Sequence, residues 1–277
     1  MADNRAQMQS RSFLLAVEDT EFLLREENRA VRFALEYSKA DMLLRDWGVR
    51  STVVVFGSAR IPSPEAAEAM VKEAKTLEAM EHATRKKRQS RWYQAARDFA
   101  RVVSERGGAL THDNGVRDNV IATGGGPGIM EAANRGARDA GAPSIGFNIT
   151  LPAEQEPNAF STPELTFKFH YFAMRKMHLA MRTNALAVFP GGFGTFDELF
   201  EILTLLQTGK ATPKPVVLFG RDYWTRIINF DLLVEEEVIS ERDLELFEIV
   251  DDVEEAWSAL LRRGLDAHTP GSMLPST

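Results

Sequence analysis

Val120-Ile121-Ala122-Thr123-Gly124-Gly125-Gly126-Pro127-Gly128 runs directly into a helical stretch, Ile129 to Ala140. A short apolar run, a glycine cluster and a helix, in that order, read as a strand turning through a tight loop into a helix that packs back on the sheet. The order recurs downstream: Leu186 to Phe189 is apolar, Pro190-Gly191-Gly192-Phe193-Gly194 follows, and helical spacing resumes from Thr195 to Thr208. Upstream, Thr52 to Phe56 is β-branched and apolar and ends on Gly57-Ser58, as suits a strand covered on both faces. Ser144 to Asn148, Thr166 to Phe169 and Pro215 to Phe219 are further strand candidates. Helices are expected over Phe172 to Asn184, near Asp222 to Glu237 and over Val253 to Arg262. This alternation predicts a doubly wound, Rossmann-like α/β sheet, mostly parallel, with helices on both faces. Ligands of such sheets sit at the carboxyl ends of the strands, where both glycine loops fall.

Outward from this unit, Phe13 to Trp47 has apolar residues at roughly helical spacing and neither Pro nor Gly. It predicts an N-terminal helical extension over residues 1–50, ahead of an α/β domain over 51–265 and a disordered tail over 266–277. The charged stretch Pro64 to Arg106 predicts two helices broken around Arg85-Lys86-Lys87-Arg88, a run whose ordinary reading is a solvated helix end.

The 277 residues are 44% hydrophobic and 26% charged, a globular mix able to bury a core. Against 40 Asp plus Glu stand 33 Lys plus Arg, a formal net charge of −7, which argues against general nucleic-acid binding. With no cysteine, thiol nucleophiles, disulfides and cysteine-ligated metals are excluded. The longest apolar runs are five residues, Phe13 to Val17 and Ala185 to Phe189, against the roughly 20 of a membrane-spanning helix. No signal-peptide cleavage site follows the first, so the expected location is cytoplasmic, without membrane partners.

Glycine lets several backbone N–H groups converge on one point, and Pro127 suits the first position of a helix. A helix start with free N–H groups favours an anion. One such loop is equally a tight turn; two at one sheet edge favour a phosphate cradle. Spacing then discriminates. A Gly-x-Gly-x-x-Gly fingerprint would end on Ile129 or on Asp197, and Gly209-Lys210 lacks the rest of a P-loop. A phosphate monoester fits better than a dinucleotide or ATP. Thr195-Phe196-Asp197-Glu198 is a capping box on spacing alone, and equally a carboxylate one turn from a phosphate, placed to act on the attached sugar. Arg175-Lys176 supplies cations just upstream. The histidines have no zinc-type spacing and no Gly-x-Ser-x-Gly elbow occurs, so no metal site or esterase is expected.

Pro190 to Glu198 matches the PGGxGTxxE signature of the LOG ("lonely guy") proteins, cytokinin-activating phosphoribohydrolases once labelled lysine decarboxylases. Arg175 precedes Glu198 by the family's separation, and Gly124 to Met130 resembles its glycine-rich loop; the resemblance covers roughly Thr52 to Phe219. It implies hydrolysis of the N-glycosidic bond of a nucleoside 5′-monophosphate to free base and ribose 5-phosphate, with no cofactor, in a homodimer or higher oligomer. It places phosphate on Gly191, Gly192, Gly194 and Thr195, with Gly124, Gly125 and Gly126 of the upstream loop as further substrate-binding residues. Catalysis falls to Arg175 and Glu198, and further substrate contacts to Glu154, Lys176 and Thr204. Glu131, the N-terminal extension and the 64–106 insert depart from the short plant members toward the longer bacterial branch. AMP therefore stands beside cytokinin riboside monophosphates as a substrate. A non-catalytic nucleotide or phosphosugar sensor using the same cradles is the alternative.

Overall fold

The computed structural model describes residues 3–110, 115–151 and 156–265. Seven strands, β1 (Thr52–Phe56), β2 (Val120–Thr123), β3 (Ser144–Ile149), β4 (Thr166–Phe169), β5 (Thr183–Val188), β6 (Val216–Phe219) and β7 (Glu248–Val250), form one sheet in the order β4-β3-β2-β1-β5-β6-β7. Every pairing is parallel. Helices alternate with them: α1 (Arg5–Met8), α2 (Thr20–Leu23), α3 (Arg29–Asp46), α4 (Pro64–Glu73), α5 (Leu77–Arg106), α6 (Ile129–Asp139), α7 (Phe172–Met181), α8 (Phe193–Gln207), α9 (Arg221–Ile227), α10 (Phe230–Glu235) and α11 (Val253–Arg262). The doubly wound α/β expectation holds.

Side chains of a strand alternate between its faces, and the two cores follow that period. Val53 and Val55, Ile121, Ala185 and Ala187, and Val217 and Phe219 face one core, covered by α5, α6 and α11. Val54 and Phe56, Ala122, Leu186 and Val188, and Leu218 face the other, closed by α3, α7 and α8. The strand order reverses between β1 and β5, so the crevice above their carboxyl ends is where a ligand is expected. Phe189 N–H donates to the Phe56 carbonyl at 2.8 Å and Ser58 N–H to that of Pro190 at 3.1 Å, joining the two ends.

Several boundaries differ from the sequence expectation. Within the extension, Asp19 accepts the Phe22 N–H and the Asn28 amide donates to the Phe22 carbonyl, so the long helix starts only at Arg29. That helix docks through Ala40 and Leu44 and is pinned where Arg182 pairs with Asp41 at 2.6 Å. The break between α4 and α5 falls at Ala74, which is extended, and Thr76, which caps α5, not at Arg85 to Arg88. Those long unbranched side chains are good helix formers and lie mid-helix. The predicted helix from Phe172 ends at Met181, because Thr183 is drawn into the sheet beside Thr52. Near Asp222 the expected helix divides at Ile228, and Asn229 caps α10. β7 had no readable strand pattern, being three residues with a charged first position. No helix among the described residues is long and apolar enough to cross a membrane.

Candidate active site

α8 begins at Phe193, with Gly192 as its capping residue, and the N–H groups of Thr195 and Phe196 both donate to the Gly192 carbonyl. Thr195 is therefore the third residue of the helix, and the Thr195–Glu198 capping box does not form. The Thr195 side chain folds back over Gly191 instead: a Cβ at Gly191 would stand 2.0 Å from Thr195 Oγ1, so only glycine fits. Gly192 and Gly194 face open space, which leaves the start of α8 accessible to an anion.

Freed from capping, Glu198 lies one turn into α8 with its side chain 7% exposed. Arg175, from the first turn of α7, is 12% exposed and brings Nη1 to 3.5 Å from Glu198 Oε1. Its Nε donates to the Phe147 carbonyl at 2.8 Å, anchoring the guanidinium on β3. Nη2 rests on the first glycine loop, where a Cβ at Gly124 would stand 2.5 Å from it. Gly124 thus makes room for an arginine. Burial raises the Glu198 carboxyl above the ordinary glutamate range, and the Arg175 and Lys176 charges only partly oppose it. Burial likewise pulls Arg175 below its ordinary value, with Glu198 opposing. At 3.5 Å the pair's attraction does not recover its desolvation. Burial also lowers Lys176, but its contacts to Asp197 and Glu201, each 2.8 Å, outweigh that and leave it raised. Lys176 Nζ is 3.9 Å from Glu198 Oε2.

The Gly124–Gly126 loop is braced by asparagines that no sequence motif marks. Gly125 has φ +71° and lies against the Asn148 amide. Asn158 bonds the Gly125 carbonyl through its N–H at 2.9 Å and, through Nδ2, the carbonyls of Gly125 and Gly126 at 3.1 Å each. Thr123 accepts from the Gly125 N–H and donates to Asn134. The available signal was Asn134, a polar residue on the alanine face of α6.

Arg175, Lys176, Glu198, Thr195 and Gly124 are thus brought together. Thr204 is set apart: its hydroxyl donates to the Phe200 carbonyl, and it lines an outer groove of about 620 Å³ that reaches Lys176 but not Arg175 or Glu198. Glu154 lies outside the described residues, as does the 266–277 tail. His178 is packed among the rings of Tyr37, Phe147 and Phe169. Among the described residues no three His, Asp or Glu side chains converge as metal ligands would.

A family model described as "possible lysine decarboxylase" matches residues 130–260. The cytokinin riboside 5′-monophosphate phosphoribohydrolase LOG3 of Arabidopsis thaliana is 31% identical over 126 residues, 44% of this chain and 57% of that protein. The probable phosphoribohydrolase LOG4 of Oryza sativa subsp. japonica is 29% identical over 146 residues, 51% and 62% of the two chains. The match thus spans little more than half the length of these curated relatives. Among solved structures, the molybdenum cofactor binding protein of Rippkaea orientalis aligns over 77% of this chain and 94% of its own, at 17% identity and a TM-score of 0.45.

Proposed function

Both sequence comparisons bear out the resemblance to the LOG proteins, and from that premise we propose that this protein hydrolyses the N-glycosidic bond of a nucleoside 5′-monophosphate, AMP or a cytokinin riboside monophosphate. The observation that carries the reading is the buried Glu198, one turn behind a glycine-rich helix start and facing Arg175. The 5′-phosphate sits on the backbone N–H groups at the start of α8. The C1′–N bond breaks with its electron pair leaving on the base, which gains a proton. The sugar develops oxocarbenium character, stabilised by the Glu198 carboxylate, and water adds to C1′ to give ribose 5-phosphate. Arg175, fixed by Phe147, holds that carboxylate in place. Phe193, 93% exposed, and Phe200 lie beside the outer groove and form the face we assign to a second copy of the chain.

The test is incubation with AMP and with an isoprenoid-substituted adenosine monophosphate, followed by chromatography. Free base with ribose 5-phosphate is expected; no release from a folded, AMP-binding protein overturns the reading in favour of a sensor.

A pH profile follows from the burial. Ionised Glu198 is the working form and its pKa is raised, so activity falls as pH drops through a value above that of an ordinary glutamate. Lys176 lowers that pKa; Lys176→Ala is expected to move the acid limb of kcat/KM further up. A limb that stays put, or moves down, contradicts the assignment of Glu198 as the titrating group.

A further inference from the structure

Beside the Pro190-Gly191 turn lies a second cleft, of about 490 Å³, which shares only Gly191 with the residues of the hydrolytic reading. Its walls are the turn after β1, the middle of α5, the Pro190-Gly191 turn itself and α9; neither Arg175 nor Glu198 lines it. In a chain of net charge −7 this wall carries Arg60, Lys86, Arg91 and Arg226 against a single carboxylate, Asp222. Arg226 pairs with Asp222 at 3.7 Å, while Arg60, Lys86 and Arg91 form no ion pair among the described residues. Lys86 Nζ donates to the Arg60 carbonyl at 2.7 Å, and the Arg91 guanidinium stacks on the Trp92 ring, 4.6 Å from its centroid. Both cations are thereby held at the cleft rather than left to sweep through solvent.

This gives the run Arg85-Lys86-Lys87-Arg88 a divided role. Lys87 pairs outward with Glu68 at 2.7 Å, whereas Lys86 turns to the cleft. The two guanidinium forks and the ammonium that Asp222 leaves unpaired, those of Arg60, Arg91 and Lys86, are matched by phosphate oxygens. With Asp222 offsetting Arg226, a single phosphate dianion would leave about one of the remaining three cations unmatched and most of the cleft empty. A nucleoside di- or triphosphate brings enough negative charge, and its base and sugar fill a volume within the roughly 300–1,000 Å³ of small-molecule sites. We propose that this cleft binds a nucleoside di- or triphosphate, separately from the monophosphate at Glu198. Its occupant would also touch the brace of the phosphate loop, since the Tyr223 hydroxyl, in the cleft wall, donates to the Gly191 carbonyl.

The full chain carrying Glu198→Gln, saturated with AMP, is titrated calorimetrically with ATP and with inorganic pyrophosphate. ATP is expected to bind saturably with AMP retained, and pyrophosphate more weakly. Arg60→Glu with Arg91→Glu should weaken both by at least about tenfold, while the same pair of changes in the Glu198-bearing chain leaves AMP turnover without ATP unchanged. Absence of saturable binding, one-for-one displacement of AMP, pyrophosphate tighter than ATP, or equal affinity in the double variant overturns the proposal. If AMP neither binds nor reacts, the comparison of the double variant with its parent, made without AMP, still tests the cleft.

Discussion

Glu198→Gln is expected to lower base release from a nucleoside 5′-monophosphate by about 10³-fold, with AMP affinity nearly unchanged. The substitution keeps the shape of the side chain and leaves an amide oxygen to face the Arg175 guanidinium, so the 3.5 Å contact need not be lost. What disappears is the negative charge, and that charge does its work only once the ribose has become cationic. An interaction made in the transition state and not in the ground state lowers kcat and kcat/KM together and leaves binding alone. Single-turnover assays with chromatographic detection of free base, beside calorimetry with AMP, separate the two quantities. A variant that turns over at near the parental rate would reduce Glu198 to a buried polar residue of α8. One that loses AMP binding and turnover in parallel would show that the carboxylate holds the site open rather than carrying the reaction.

The sheet was legible because its strands state their environment twice. Val53 to Phe56 is apolar on every residue, as a strand between two helical layers must be, and the structure buries all four together with Thr52. The glycine loops were legible for the same reason: Gly191 and Gly124 stand where a neighbouring side chain takes the place of a Cβ. What the chain did not announce was which neighbour. Gly124 reads as part of a phosphate cradle, but nothing in the loop itself announces that Arg175, far along the sequence, lies against it. Thr195 reads as a helix cap because Thr-x-x-Glu is a local pattern, and the earlier start of α8 at Phe193 is decided by Gly192, which has no side chain to signal with. The misplaced break in the 64–106 insert has a similar origin. Four consecutive basic residues repel one another in isolation, but Lys87 against Glu68 and Lys86 against the Arg60 carbonyl are partners from other segments. Asn148 and Asn158, which fix the Gly124–Gly126 loop, are single polar residues whose purpose appears only when β3 and the following loop are brought beside it.

Gly136→Ala should destabilise the protein, against helix propensity. In the interior of α6 the change by itself is worth roughly 1 kcal/mol in favour of alanine. Here, however, the new Cβ would stand 2.0 Å from the carbonyl oxygen of Arg97 and 3.0 Å from the Arg101 nitrogen, all backbone of α5. No rotamer relieves a clash with backbone; α5 must move, and α5 holds Tyr93, Phe99 and Val103 in the core against the sheet. Overpacking of this kind costs about 3 kcal/mol at the upper end of its usual range, so the net loss is about 2 kcal/mol, or roughly 4–8 °C in Tm for a chain of this size. Thermal unfolding followed by circular dichroism measures it, with Gly194→Ala, where a Cβ meets open space, as the control expected to melt no lower than the parent. The effect should also reach the site. α6 is capped by Gly128, whose φ of +72° brings it against Ser58, and the Ile129 N–H donates to the Ser58 carbonyl at 3.2 Å. A displaced α6 therefore shifts the Gly124–Gly126 loop on which Arg175 rests, so the folded variant should turn over AMP more slowly well below its Tm. Parental turnover in a variant with lowered Tm would mean that the α5 contact supports stability alone.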